Sequence, residues 1–250
     1  MIKRRLLISI PLLIGMTLLS FIIMQLAPGD PGQMMIDPSV SAADLAQVKE
    51  NLGLNQPMVL QYFSWLKEVL KGNLGYSYMT GKPVLDTLVD RLPATLILSI
   101  SSLILILCIT FPLGLWSAYK KDSRFDHGVM IASFIGLSLP TFWLGLVLIL
   151  IFSLDLNLLP TSGMLDPHLS DSNIFVKALD ISKHLILPLA TILIGGIAGL
   201  TRYHRFNMIH VLNMDYITAA RARGISEKTL LFKHAFKNAM LPIITLLGLE

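Results

Sequence analysis

Four uncharged apolar runs constrain this chain more than any other feature: Leu6–Ala27, Leu92–Tyr119, Gly128–Leu154 and Leu185–Thr201. A hydrocarbon layer of about 30 Å takes about 20 helical residues to cross, so the first three are long enough and the fourth lies near the short limit. A fifth run opens at Ala239 and meets Glu250 after half a crossing. Since a bilayer penalises helix ends left unsatisfied in hydrocarbon, that half-run reads as the sign of a fragment. With 54% hydrophobic and 14% charged residues, the chain has more apolar surface than one water-soluble core can hold, and lipid must solvate part of it. The runs are continuous rather than alternating, which predicts helices and not barrel strands. The expected fold is an all-α, polytopic transmembrane bundle, bent where Pro11, Pro93, Pro112, Pro140 and Pro188 fall in or beside the spans.

Charge orients the bundle. With the N-terminus inside, thirteen of the twenty Lys and Arg residues fall on one side: Lys3 to Arg5, Lys120 to Arg124, Arg202, Arg205, and Arg221 to Lys237. The other seven are spread over two longer outer loops, so the bias favours a cytoplasmic N-terminus. The net charge of +4 is then a consequence of topology and requires no nucleic-acid partner. A cleavable leader is disfavoured, because the first run is longer than the 7–15 residues of a signal core and Gln25-Leu26-Ala27-Pro28 lacks small residues at both cleavage positions. Residues 1–27 read as a retained anchor, 28–91 as an outer loop, and 92–250 as the core transmembrane region.

The outer loop is organised. Turn formers crowd Ala27-Pro-Gly-Asp-Pro-Gly32, and Ser41 with Asp44 predicts a capped short helix stopping near Gly53. A second helix, Met58 to Lys71, sets Val59, Tyr62, Phe63, Leu66 and Leu70 on one face and ends at Gly72. That stripe needs a cover, either the chain's own spans, the lipid interface or an external partner. Gly75-Tyr-Ser-Tyr-Met-Thr-Gly81-Lys82 imitates a phosphate loop, but five residues separate its glycines where four are needed, and Pro83 stands where Ser or Thr should. No nucleotide site is assigned there.

Enzyme chemistry finds no footing. Cys108 is alone inside the second run and reads as a small buried hydrophobe, and the six histidines show neither i, i+4 pairing nor a flanking ligand cluster, so no metal and no cofactor is assigned. Nucleophile elbow and dinucleotide signatures are missing from the sequence. The apolar runs hold no ionisable residue, which argues against an ion-coupled carrier and places the energy source in another subunit.

The stretch from Tyr203 to Met240 carries the functional reading. Asn213-Met-Asp215 looks like a helix start, with Asp215 favourable at the positive helix end, and Tyr216 to Arg223 is helix-forming with small Ala219, Ala220 and Ala222. Gly224 provides a turn, and Ser226 caps a second helix, Glu227 to Asn238, that runs into Leu241-Pro242 at the membrane. Two short helices meeting at a glycine make a knob that a cleft on another protein can grip.

At these residues the chain resembles the inner-membrane permease subunits of ABC importers, specifically the dipeptide/oligopeptide/nickel class. The matching stretches are Asp215-Tyr-Ile-Thr-Ala-Ala-Arg-Ala-Arg-Gly-Ile-Ser-Glu-Lys and His234-Ala-Phe-Lys-Asn-Ala-Met-Leu-Pro-Ile-Ile-Thr245, joined by Pro28-Gly-Asp-Pro31, Leu52-Gly-Leu-Asn-Gln-Pro57, Gly72-Asn-Leu-Gly-Tyr-Ser77 and Arg91-Leu-Pro-Ala-Thr95. Thr218 stands where the general importer signature has Glu, while Ala219, Ala220 and Gly224 keep their places. The resemblance implies a type I ABC importer bundle with two full C-terminal spans where this chain has half of one. It also implies a coupling helix at about 215–224, with Asp215, Tyr216, Ala219, Ala220, Arg221, Arg223 and Gly224 touching a cytoplasmic ATPase subunit. A homologous second permease, a periplasmic substrate-binding protein and the lipid bilayer complete the implied partners, in a bacterial inner membrane. Peptides are the default cargo, with nickel and other small solutes open.

Two other classes remain open to a sequence of this kind. A channel or secondary carrier would move solute without an ATPase, and a membrane-tethered nucleic-acid binder could use two helices at a glycine turn, though it has no use for four spans. For Arg221 and Arg223, anchoring to anionic lipid is as good a reading as a specific contact.

Overall fold

The computed structural model describes residues 2–26, 56–77 and 80–248, with side chains from residue 7 onward. The turn expected at 27–32 and the capped helix expected from Ser41 lie outside the described residues. Two compact units are present, Met1–Pro93 and Ala94–Glu250.

In the first unit, helix α1 (Ile2–Leu26) runs unbroken through Pro11, and α2 (Met58–Leu70) starts at Pro57. The two meet through Tyr62, 5% exposed, whose ring stands edge-on to Phe21 at 5.5 Å and whose hydroxyl lies 3.0 Å from Thr17 Oγ1. Gln25 donates to Gln61 at 2.6 Å. The expected apolar stripe is therefore divided. Tyr62, with Trp65 one turn on, covers α1, whereas Val59, Phe63 and Leu70 stay exposed. A buried Tyr hydroxyl needs a hydrogen-bond partner, and Thr17 supplies it.

Beyond α2 the chain passes three glycines in the left-handed region, Gly72, Gly75 and Gly81. Tyr76 bridges Pro83, and Ser77 donates to the Lys82 carbonyl at 2.9 Å, so the glycine-rich stretch is a tight turn feeding the next helix. That helix, α3 (Val84–Tyr119), begins eight residues before the apolar run and continues into the second unit, unbroken at Pro93 and Pro112.

In the second unit, Ser123 caps α4 (Arg124–Ser138) by accepting from Asp126 N–H at 3.2 Å. Then α5 (Thr141–Ile149) continues as a wide π turn, Leu150–Asp155. Within the expected span Gly128–Leu154, α4 and α5 meet at a 90° bend. Leu139 is the cause. Standing before Pro140, it is pushed out of the helical region to φ −84°, ψ 123°.

Helix α6 (Ile174–Leu212), capped by Asn173, is more than twice the length of the run Leu185–Thr201 that announced it. Its polar ends hold Asp180, His184, Arg202, His204 and Arg205, so ionisable groups do stand on the long helices, outside their apolar centres. Next come α7 (Asp215–Ala222) and α8 (Glu227–Thr229), which passes through a π turn, Leu230–Phe236, into α9 (Lys237–Leu247). The helix expected to stop at Asn238 thus runs on through Pro242, and Glu227–Leu247 is apolar and long enough to count as a span. Four such helices, or five with the bent pair, stand among the described residues, and their apolar windows are only 0%, 11%, 17% and 28% buried. Lipid or other chains must cover the remainder.

Close helix contact is made by small residues. A Cβ on Gly136 of α4 would lie 3.1 Å from Ala198 Cβ and 3.2 Å from the Ile194 carbonyl of α6, so the two backbones approach where glycine permits. Cys108, expected to be buried, is exposed on α3. Its helical face is one the bundle does not cover.

Candidate docking hairpin

The knob predicted at 215–224 forms. Helix α7 ends in a Schellman arrangement: Ile225 N–H donates to the Ala220 carbonyl at 3.3 Å and Gly224 N–H to the Arg221 carbonyl at 3.0 Å. Gly224 takes φ +80°, which a residue with a Cβ adopts only with strain, and a Cβ there would meet nothing within 4 Å. The need for glycine is conformational and not steric. Ser226 caps α8 by accepting from Thr229 N–H at 3.4 Å. Across the turn, Arg221 Nε reaches Glu227 Oε1 at 2.6 Å and Nη2 reaches Oε2 at 3.3 Å. The Glu227 carboxylate beside it raises Arg221 above the usual guanidinium range.

One residue fastens this knob to the bundle. Ile217 is fully buried and joins an apolar cluster with Leu115 and Ala118 from α3, Met208 and Val211 from α6, and Leu231, Ala235 and Ala239 from the returning helix. Tyr216, 41% exposed, accepts at its hydroxyl from Asn238 at 2.6 Å. Asp215, Ala219, Arg221, Arg223 and Gly224 are exposed and Ala220 is half-buried. The seven residues singled out from sequence therefore share one short element with a buried anchor and an open face. Two of them, Tyr216 and Arg221, also stiffen the hairpin.

Sequence reasoning missed what braces the mount. Asp126, 2% exposed, sits where α3, α4 and α6 converge. It accepts from Arg205 Nε at 2.5 Å and Nη2 at 2.6 Å, from Asp122 N–H at 2.9 Å and from the Ser117 hydroxyl. Asp122 itself is held at φ +62°. The Ser123-x-x-Asp126 spacing could have marked the cap, but nothing local announces a pairing with Arg205, which the charge count treated only as an inside marker. Nearby, His204 is fully buried between Phe111 and Phe236, with ring centroids 5.4 and 5.6 Å away. Its tight seat against Gly114 was equally invisible, as a Cβ on Gly114 would lie 2.6 Å from His204 Cδ2.

No group of three or more His, Cys, Asp or Glu side chains that could hold a metal occurs among the described residues. The hairpin presents an open, largely exposed face.

Comparison with known proteins places that surface in context. Residues 110–250 match the family model described as binding-protein-dependent transport system inner membrane component, and residues 1–99 match the N-terminal model of the same components. The chain is 47% identical over 249 residues to the oligopeptide transport system permease protein AppB of Bacillus subtilis, covering 99% of this chain and 77% of that protein. It is 38% identical to the dipeptide transport system permease protein DppB of Alkalihalophilus pseudofirmus, covering 99% of this chain and 78% of the relative. Against the di/tripeptide transport system permease protein DppB of Pseudomonas aeruginosa it is 37% identical, covering all of this chain and 78% of that one.

Proposed function

The chain belongs to the family of inner membrane components of binding-protein-dependent transport systems, and on that footing we propose that it is a permease subunit of an ATP-driven peptide importer. Its cargo is a dipeptide or oligopeptide, delivered by a periplasmic binding protein, and the path runs between this chain and a homologous second permease. ATP is hydrolysed in a separate cytoplasmic subunit. The N-terminus and α7 face the cytoplasm, as the distribution of Lys and Arg favours.

In this reading α7 is the coupling helix. Asp215, Tyr216, Ala219, Ala220, Arg221, Arg223 and the turn at Gly224 meet the ATPase, with small side chains allowing close approach and charged ones at the rim. What supports the assignment above all is the buried Ile217: it makes an exposed eight-residue helix continuous with a cluster drawn from α3, α6 and the returning helix. A displacement of α7 must then move those helices together, since a packed cluster does not yield locally. The Asp126–Arg205 pair extends the braced body to α4. Thr218 leaves the ATPase no carboxylate at that position, so the contact proposed here does not use a salt bridge there.

Reconstitution tests the function. Vesicles holding the assembled permeases and ATPases should accumulate a labelled dipeptide only with ATP inside the ATPase-accessible space and with the binding protein on the opposite face. Uptake that persists without any ATPase would return the chain to the channel or carrier class.

A further inference from the structure

Helix α1 carries a ruler for depth. Its apolar window, Leu7–Leu26, is 20 residues long with none of them buried, and at about 1.5 Å per residue it fills a hydrocarbon layer of about 30 Å. Thr17 therefore stands near the middle of that layer, and Phe21 about 8 Å from the end at Leu26. Helix α2 is fastened at these levels. The Tyr62 hydroxyl bonds Thr17 and its ring packs on Phe21, Trp65 stands against the same Phe21 at 6.1 Å, and Gln61 pairs with Gln25 near the end of the run. Residues a turn apart on α2 thus meet one ring of α1, so α2 crosses α1 at the depth of Phe21 instead of standing above it in water. We propose that α2 lies across the membrane leaflet at the C-terminal end of α1, with Val59, Phe63 and Leu70 immersed in lipid acyl chains.

The order of side chains round α2 agrees with that depth. Gln61, bonded to Gln25, marks the side that faces the end of α1. At about 100° per residue, Leu70 stands about 180° from Gln61, and Val59 and Phe63 stand about 160° from it. All three are exposed, and all three point toward the middle of the layer. The inward half also carries Leu60, Tyr62 and Leu66; its one charge is Lys67, near the edge, from where a long side chain reaches back to the headgroups. On the opposite half are Ser64, Glu68 and Lys71, with Glu68 accepting from Lys71 at 2.6 Å and from Asn73 at 3.2 Å. An interfacial helix has this build, basic and polar above, aromatic and aliphatic below, and sinks about 5–10 Å into the leaflet. A soluble partner arriving from water meets the polar half. Val59, Phe63 and Leu70 face away from it, which leaves acyl chains as their cover.

This inference goes beyond the transport reading and takes from it only that α1 spans the bilayer; in the orientation proposed above, the leaflet is the outer one. The test uses the full chain assembled with its partner subunits in nanodiscs of phosphatidylethanolamine and phosphatidylglycerol, without binding protein, after Cys108→Ala removes the exposed native thiol. A nitroxide attached through Phe63→Cys or Leu70→Cys should collide several-fold more often with oxygen, which concentrates in hydrocarbon, than with nickel ethylenediaminediacetate, which stays in water. Through Ser64→Cys the order should reverse. Should Phe63→Cys fail to assemble, Val59→Cys reads the same face with a smaller change of side chain. Labels on the apolar face that meet the nickel chelate more often than oxygen put that face in water, and labels that meet neither put it under another protein. Either result overturns the proposal.

Discussion

Arg205 of α6 grips Asp126 of α4 with two prongs, Nε to Oδ1 at 2.5 Å and Nη2 to Oδ2 at 2.6 Å, across 79 residues of sequence. Asp126 is almost wholly buried, so the pair is a fixed brace and not a surface ornament. Removing the cation alone strands a buried carboxylate. Arg205→Leu should therefore lower stability by about 3–5 kcal/mol, and the double change with Asp126→Leu should recover part of that loss. Thermal melting of the purified protein in one detergent checks the order, and a double variant less stable than Arg205→Leu would contradict it.

Gly224 needs its positive φ and nothing else, since open space surrounds it. Gly224→Val should cost about 1–2 kcal/mol locally and break the Schellman turn, weakening ATPase association while α3, α4 and α6 stay folded. Gly224→Asn, which visits the left-handed region more readily, should keep most of the association. Co-purification of the ATPase with each variant reads the outcome, and undiminished recovery with Val would count against the turn's role.

Two glycines on facing helices should respond unequally to the same added methyl. At Gly114 a Cβ would come within 2.6 Å of the His204 ring, which Phe111 and Phe236 hold in place; at Gly196 it would meet the movable tip of Ile106 at 2.5 Å. Gly114→Ala should lose about 1–3 kcal/mol by overpacking, whereas Gly196→Ala should change stability by less than about 1 kcal/mol. Comparable melting shifts for the two would refute the rigid seat assigned to His204.

Ile217 is the peg of the hairpin. Truncation to Ala should cost about 2–5 kcal/mol if the cavity persists, and should raise ATP hydrolysis per peptide transported, because α7 then moves without carrying its cluster. The ratio of hydrolysis to uptake in proteoliposomes measures this. An unchanged ratio would mean that force enters the bundle elsewhere.

What could be read from sequence was local. The cap at Ser226, the turn at Gly224 and the start of α7 near Asp215 are set by residues within a few positions of each other, and each forms. Membership of the importer family was likewise carried by contiguous stretches. Long-range choices were not legible. Periodicity could not say that α2 would turn Tyr62 to Thr17 and leave Phe63 outside, nor that Cys108 lies on an uncovered face of α3. The bend at Leu139–Pro140 was visible as a proline but not as a 90° break, because a proline's effect depends on whether neighbours re-satisfy the freed backbone groups. Apolar runs also understate helices that continue past them into polar residues, as α6 does at both ends.

The most direct test of α7 as the coupling helix is photo-crosslinking from position 219. A benzophenone side chain there, in the assembled transporter, should form an adduct with the ATPase that changes in yield between nucleotide-free and ATP-bound states, while the same group at Leu158 should form none. Capture of the ATPase from position 158, or no adduct from 219 in any nucleotide state, would contradict the assignment.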